Sequence, residues 1–486
     1  MSRRKRAPAL RRLRIALVLV LSGLAPIGLW PTAAGAGCQP IETAPLASRL
    51  VPRVETGRLA NGLRYVVVPR DGEHSVTVRI AYDVGSRRDP EGLGGLAHVL
   101  EHLMFDGSPT IGPGEHFRRV RDVGGRVNAI TDWDLTDYVE TIPPGAFDRV
   151  LASEADRMRG VALSDDGLAT QLASIEEEEA LRLSNVPYAV GASAFLSRLW
   201  AGTPYARSPL GPKAERRAIR LEDVARFHAE HYAPGNALVV VVGAIDPAEA
   251  RRVIETRFGD VPPRALPAPP PPVEVDARPR HVTLADPLAP VPVYGLVWHA
   301  VPARHPDAPA VAVLDDLLLG HRDARLALAR KGRLALQAYS ISFALREAGL
   351  LSFVFAPRTF ARFAEIREEV ETRVARLARE GPDAAELCRA IVHEQSEGLA
   401  AVDTNEGLAG VVARDMVETG EPLAFVQRLD ALAALTPEAV RDVARRTFES
   451  APSTLVIAPT GPMRWLKPVL EWLPDAVGAS LERSLL

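Results

Sequence analysis

With 486 residues, a net charge of −3 and 47% hydrophobic side chains, the sequence reads as a globular chain with more than one core. That balance excludes a disordered or fibrous polymer. No stretch after residue 36 is basic enough to argue for a nucleic-acid partner, and mild acidity reads as solubility alone.

The first 36 residues stand apart. Arg3, Arg4, Lys5, Arg6, Arg11, Arg12 and Arg14 precede an apolar run from Ile15 to Trp30, and Ala34-Gly35-Ala36 follows. A charged start, a short apolar stretch and an A-x-A site predict a secretory signal peptide over 1–36. The run is broken by Gly23, Pro26 and Gly28 and is short for a membrane span, so export is expected, to a bacterial periplasm. A membrane attachment would come only from an uncleaved signal or a lipid on Cys38. Cys38 and Cys388 are far apart in sequence and suggest no disulfide framework, so the fold is expected to stand on its cores.

From residue 50 strands and helices alternate. Arg64–Val68 and Val76–Tyr82 are β-branched and read as strands. The turn Gly92-Leu93-Gly94-Gly95 opens a helix carrying Leu96, Val99, Leu100 and Leu103. Gly124-Gly125 then leads into a strand over Val127–Ile130. Helices are expected over Leu168–Leu183 and Asp223–Glu230, with a buried valine-rich strand over Ala237–Gly243. Pro262–Val275 is proline-rich and reads as an extended spacer. The run from Leu435 through a helix to Phe448 and a strand at Ser453–Ile457 mirrors Ile219 to Val241, which suggests an internal repeat. The expectation is an α+β protein of two homologous halves, each with helices packed on a mainly antiparallel sheet: 37–263, a linker at 264–275, 276–462, and a tail at 463–486 whose Trp465 and Trp472 pack on the core.

The chemistry concentrates in His98-Val99-Leu100-Glu101-His102. Histidines four apart on a helix share a face with Cβ atoms about 5–6 Å apart, which suits two ligands of one tetrahedral zinc ion. Glu101 flanks that face without replacing a ligand, as a general base taking a proton from a zinc-bound water would. His228 and His231 are three apart with no carboxylate placed as a base, and they read as structural.

Gly95-Leu96-Ala97-His98-Val99-Leu100-Glu101-His102-Leu103-Met104-Phe105 resembles the signature of the pitrilysin, insulinase and mitochondrial processing peptidase family. The likeness extends to Val84-Gly85-Ser86-Arg87, Gly124-Gly125, Asn128-Ala129, Thr131 and Tyr138. It returns at Tyr232-Ala233-Pro234-Gly235-Asn236, Val242-Gly243 and Phe258-Gly259, while the second half matches more loosely.

The resemblance implies a zinc endopeptidase acting on peptides or unfolded segments, one Zn2+ per chain, with substrate added as a strand near Asn128 and Ala129. It also implies a third ligand among Glu176–Glu179. Glu178 fits best, 76 residues past His102 and followed by Asn185-Val186-Pro187-Tyr188; its neighbours Ile175 and Leu181 suggest an inward face, with Glu177 and Glu179 as alternatives. A supporting glutamate of the family falls on Gln171 here. The family's substrate-gripping arginine and tyrosine fall near Arg330 and Leu336, with Tyr339 three residues late, so the tyrosine function is expected to be missing. This implies a homo- or heterodimer closing as a clamshell with a related subunit that supplies Arg and Tyr. A non-catalytic assembly subunit keeping the fold and the zinc site is the alternative.

Overall fold

The computed structural model describes residues 38–44, 54–320, 334–357 and 360–460. The expected signal peptide, Arg330 and the tail with Trp465 and Trp472 lie outside the described residues.

The first half begins with β1 (Glu55–Arg58), β2 (Arg64–Pro69) and β3 (Val76–Tyr82), followed by helices α1 (Leu96–Leu103) and α2 (Glu115–Arg121). A hairpin, β4 (Arg126–Thr131) and β5 (Thr136–Ile142), precedes helices α3 (Phe147–Arg159), α4 (Asp165–Glu179), α5 (Ala189–Leu199) and α6 (Leu221–His231). Strand β6 (Ala237–Gly243) and helix α7 (Pro247–Phe258) complete it. The second half contains β7 (His281–Asp286), β8 (Val293–Ala300), α8 (Ala308–Asp315), the short strands β9 (Gln337–Ser340) and β10 (Phe343–Ala344), and β11 (Gly349–Ala356). Helices α9 (Phe363–Glu380), α10 (Ala384–Ala401), α11 (Asn405–Thr419), α12 (Ala424–Ala433) and α13 (Pro437–Thr447) lead to β12 (Ser453–Pro459).

The sheets repeat one plan. The first runs β1-β2-β6-β3-β5-β4 and the second β10-β11-β8-β12-β7, with β9 also on β11. In each, a late strand enters between two early ones, parallel to the first and antiparallel to the second: β6 between β2 and β3, β12 between β7 and β8. The repeat seen at Leu435–Ile457 is thus the α13–β12 copy of α6–β6. Local chemistry sets these elements. Thr436 caps α13 by accepting from Ala439 N at 3.2 Å, with Pro437 at the first turn. Asp383 and Glu386 form a capping box on α10.

Strands β2 and β6 are valine runs because both faces are covered. Val67, Val239 and Val241 pack under α1, α3, α6 and α7, while Val66, Val68, Leu238, Val240 and Val242 join the second half's core with Leu408, Ala409 and Val412 of α11. The exchange is reciprocal. Phe195, Leu199 and Trp200, at the end of α5, cover Val282, Val293, Leu455 and Ile457 of the second sheet. Each half therefore lends a helix to the other.

The segment 262–277 has no helix or strand, as its prolines require. It is pinned on both sides: Arg88 Nη1 donates to Ala268 O at 2.9 Å, and Val273 N to Glu347 Oε2 at 2.7 Å.

The cysteines overturn the sequence expectation. Cys38 is disulfide-bonded to Cys388 on α10, so its sulfur cannot carry a lipid and the fold has a covalent tie besides its cores. The strand of chain behind it is also held: Ile41 N donates to Gln395 Oε1 at 2.7 Å, Gln395 Nε2 to Ile41 O at 3.1 Å, and Thr43 Oγ1 to Asp430. A separation of 350 residues carries no information on proximity once the N-terminal strap runs back across the last third of the chain.

Candidate metal centre

Helix α1 begins where only glycine fits. Gly95 has φ 93°, and a Cβ there would meet Leu210 O at 2.6 Å. Asp89 caps the helix from six residues upstream, accepting from Gly95 N at 2.7 Å and Ala97 N at 2.9 Å. Burial lifts the Asp89 carboxyl to about 7, against the pull of those two N–H groups. Leu96, Val99, Leu100 and Leu103 are fully buried and fix the helix on the sheet.

The opposite face presents the imidazoles. Their rings are 4.8 Å apart and nearly perpendicular. His98 Nε2 lies 3.7 Å and His102 Nε2 3.3 Å from Glu178 Oε2, so three donors converge. Bonds of about 2.0–2.1 Å to a tetrahedral ion place donors roughly 3.4 Å apart, and the cluster matches that span. Gln171 Oε1 accepts from His102 Nδ1 at 3.3 Å, which leaves Nε2 free to face Glu178 and to hold a metal there. His98 Nδ1 is buried and finds no hydrogen-bond partner among the described residues.

Glu178 is brought to the histidines and its neighbours are not. Glu176 pairs with Lys213 and Arg217, Glu179 with the buried Arg216, and Glu177 is exposed. Ile175 faces inward as expected, but Leu181 is 64% exposed. The reason is local: after Glu179 the helix widens into a π turn over Ala180–Ser184, which breaks the 3.6-residue rule. That turn supplies Arg182, whose Nη1 lies 2.7 Å from Glu178 Oε1, so Oε2 alone faces the rings.

Glu101 is buried, and its Oε2 accepts from Thr131 Oγ1 at 2.5 Å. Burial raises its proton affinity, and the Thr131 hydroxyl opposes that. Burial, reinforced by the neighbouring His102, holds His98 down to about 4. Burial pulls His102 down, but the bond to Glu178 and the charges of Glu101 and Glu178 together push it above its usual value. Burial likewise raises Glu178, and the His102 bond with the charges of His98 and Arg182 together bring it below the usual carboxylate range.

Asn128 and Ala129 lie on β4, paired to Val139 and Tyr138 of β5. Strand β4 ends the sheet, contacts α1, and has no strand on its outer side among the described residues. Tyr339 sits on edge strand β9 in the second half, 38% exposed. His228 and His231 are outside the cluster; both are buried, and His228 Nε2 donates to Arg157 O at 3.0 Å. A second trio, His116, Glu140 and Glu154, already encloses a cation: Arg157 Nη2 lies 2.6 Å from Glu154 and 3.3 Å from Glu140.

Sequence reasoning missed Asp89, Arg182 and the contact of Thr131 with Glu101. Asp89 lies six residues before Gly95, outside the usual N-cap position, and Thr131 meets Glu101 only across the fold, so spacing points to neither. Arg182, four residues after Glu178, was open to an i,i+4 reading.

A two-lobed α+β chain with an H-x-x-E-H helix facing a helix-borne glutamate has the build of an inverted-motif metallopeptidase. The comparisons agree. The insulinase (peptidase family M16) model matches residues 65–213, and the peptidase M16 inactive-domain model matches residues 218–391. The chain belongs to this pitrilysin–insulinase family, in the single-half bacterial form. Zinc protease PqqE of Helicobacter pylori is 27% identical over 383 residues, 76% of this chain and 85% of that protein. A crystal structure of a protease from Helicobacter pylori superimposes with a TM-score of 0.78 at 24% identity, covering 84% of this chain and 99% of that one. The periplasmic protease PqqL of Escherichia coli matches with a TM-score of 0.71 at 19% identity, over 89% of this chain but 50% of its own. At those identities the two structures speak for the fold. Among the described residues no helix is long and apolar enough to cross a membrane.

Proposed function

We propose that this chain is an exported zinc endopeptidase that hydrolyses peptides or unfolded segments, with His98, His102 and Glu178 as ligands and Glu101 as general base. The observation that carries the reading is the convergence of His98 Nε2, His102 Nε2 and Glu178 Oε2 with the Glu101 carboxylate held at 2.5 Å by Thr131. Zinc held there supplies Lewis acidity and makes water a nucleophile near neutral pH. Glu101 takes the proton from the attacking water and returns it to the leaving amine. Its burial favours accepting that proton, and the Thr131 hydroxyl fixes which carboxylate oxygen is free to do so. The open edge of β4 at Asn128 and Ala129 would take the substrate as an added strand beside α1.

Export is supported by the Cys38–Cys388 bond, which an oxidising compartment would maintain, and by the basic and apolar start of the sequence. A partner is supported by the second half, which matches the inactive-domain model and carries Tyr339 out of step with the family pattern. Full turnover then requires a related subunit supplying arginine and tyrosine. The test is cleavage of a peptide library by the metal-loaded chain, alone and with a family subunit, with Glu101→Gln as control. Zinc-dependent cleavage lost in the variant is expected. Its absence in both settings favours the assembly subunit.

A further inference from the structure

Tyr188 is the one non-glycine residue with a left-handed backbone among the described residues, at φ 69°. A side chain of that size adopts such a φ only where its surroundings dictate it. Here the surroundings belong to the other half of the molecule. Tyr188 N donates to Asp286 Oδ2 at 2.6 Å, and the phenol donates to Val291 O at 3.0 Å. Asp286 ends β7; it is buried and also accepts from Leu288 N at 2.7 Å, so its carboxylate cannot swing away freely. Helix α5, which Tyr188 opens, lies flush on that sheet: a Cβ at Gly191 would stand 2.8 Å from Ile457 Cδ1.

The path from Tyr188 back to Glu178 is short and hydrogen-bonded throughout. Ala189 N donates to Val186 O at 3.3 Å, Val186 N to Leu183 O at 3.1 Å and Asn185 N to Ala180 O at 2.9 Å, so no slack loop intervenes. The π turn on this path carries Arg182, which holds Glu178 Oε1 and leaves Oε2 toward His98 and His102. A strained residue anchored in one half thus sits ten residues from a carboxylate that must reach a helix of the other half.

We propose that Asp286 and Tyr188 are positioning residues for the third metal ligand. Through the Asp286 carboxylate, the half without the histidines sets where Glu178 stands. This rests on Glu178 being a ligand, and it gives the second half a part in building the centre without touching metal or substrate.

The test is zinc affinity of the purified full chain, read by competition with a chromogenic chelator, with thermal melting of the metal-free protein in parallel. Asp286→Ala is expected to weaken zinc binding by about tenfold to a hundredfold, as loss of outer support does elsewhere. Asp286→Asn keeps an accepting oxygen and is expected to restore most of it. Tyr188→Phe removes only the phenol bond and is expected to shift affinity the same way by a smaller factor. Glu347→Gln breaks the ion pair with Arg87 (2.7 Å), also between the halves, and is expected to leave zinc affinity as in the wild type. Wild-type affinity in Asp286→Ala overturns the inference, as does equal weakening in Glu347→Gln, which would mean general loosening. A wild-type chain that takes up no zinc overturns the metal reading itself, and this inference with it.

Discussion

The two halves share a strand order but not a chemistry. Helix α1 follows β3 in the first half, and α8 follows β8 at the same place in the second. Where α1 carries His98, Glu101 and His102, α8 reads Ala308-Pro309-Ala310-Val311-Ala312-Val313-Leu314-Asp315. Opposite it, on the counterpart of α4, His393 is paired to Asp316 at 2.9 Å with Glu394 beside them. One imidazole against carboxylates is an ion pair, not the two-nitrogen set that zinc prefers. The fold therefore needs only the apolar pattern of these helices, and the chemistry is added on one face of one of them. What the second half contributes is support, through α11 on the first sheet and through Asp286 on Tyr188.

That contrast can be tested by removing chemistry and support separately. The largest effect belongs to chemistry: Glu101→Gln should keep its zinc and lose about 10²- to 10⁴-fold in cleavage rate. Support comes next. Cys38→Ser should lower stability by about 2–5 kcal/mol in denaturant melts without altering zinc stoichiometry. A mutant that melts like the oxidised wild type would show that the strap is idle. Thr131→Val should slow turnover by about tenfold or more, since a hydrogen bond to a charged group contributes about 1.5–3 kcal/mol, and Thr131→Ser should restore it. Equal turnover in Thr131→Val would remove Thr131 from the site.

The smallest effect concerns a histidine with no share in the centre. Burial lowers His228 to about 4, below its unfolded value near 6.5. Between those values the unfolded chain binds a proton that the folded one does not, so His228 costs stability as pH falls from 6.5 toward 4. His228→Gln should flatten that limb of the stability curve by about 1.4 kcal/mol per pH unit. An unchanged slope would place a charged histidine in the core.

Much of this was legible in the sequence, because local signals carry it. The glycine-led start of α1, the valine strands and the α6–β6 and α13–β12 repeat all follow from turn chemistry and periodicity. The motif placed both histidines and Glu101 on one helical face, and the family resemblance pointed to Glu178. What could not be read is non-local. Leu181 turned outward because a π turn shifts the register. The exchange of α5 and α11 between the halves leaves no trace beyond apolar residues on a helix face. The Cys38–Cys388 bond depends on where the strap runs, and Thr131 meets Glu101 only once β4 lies beside α1.

The central claim is that one zinc centre exists per chain and that it lies in the first half. X-ray absorption at the zinc edge on the purified, metal-loaded chain tests it most directly, together with the bound stoichiometry. One zinc per chain in a shell of two imidazole nitrogens and carboxylate or water oxygens, with Zn–N bonds of about 2.0–2.1 Å, is the predicted result. No zinc, or a second equivalent bound at His393 and Asp316, would contradict it.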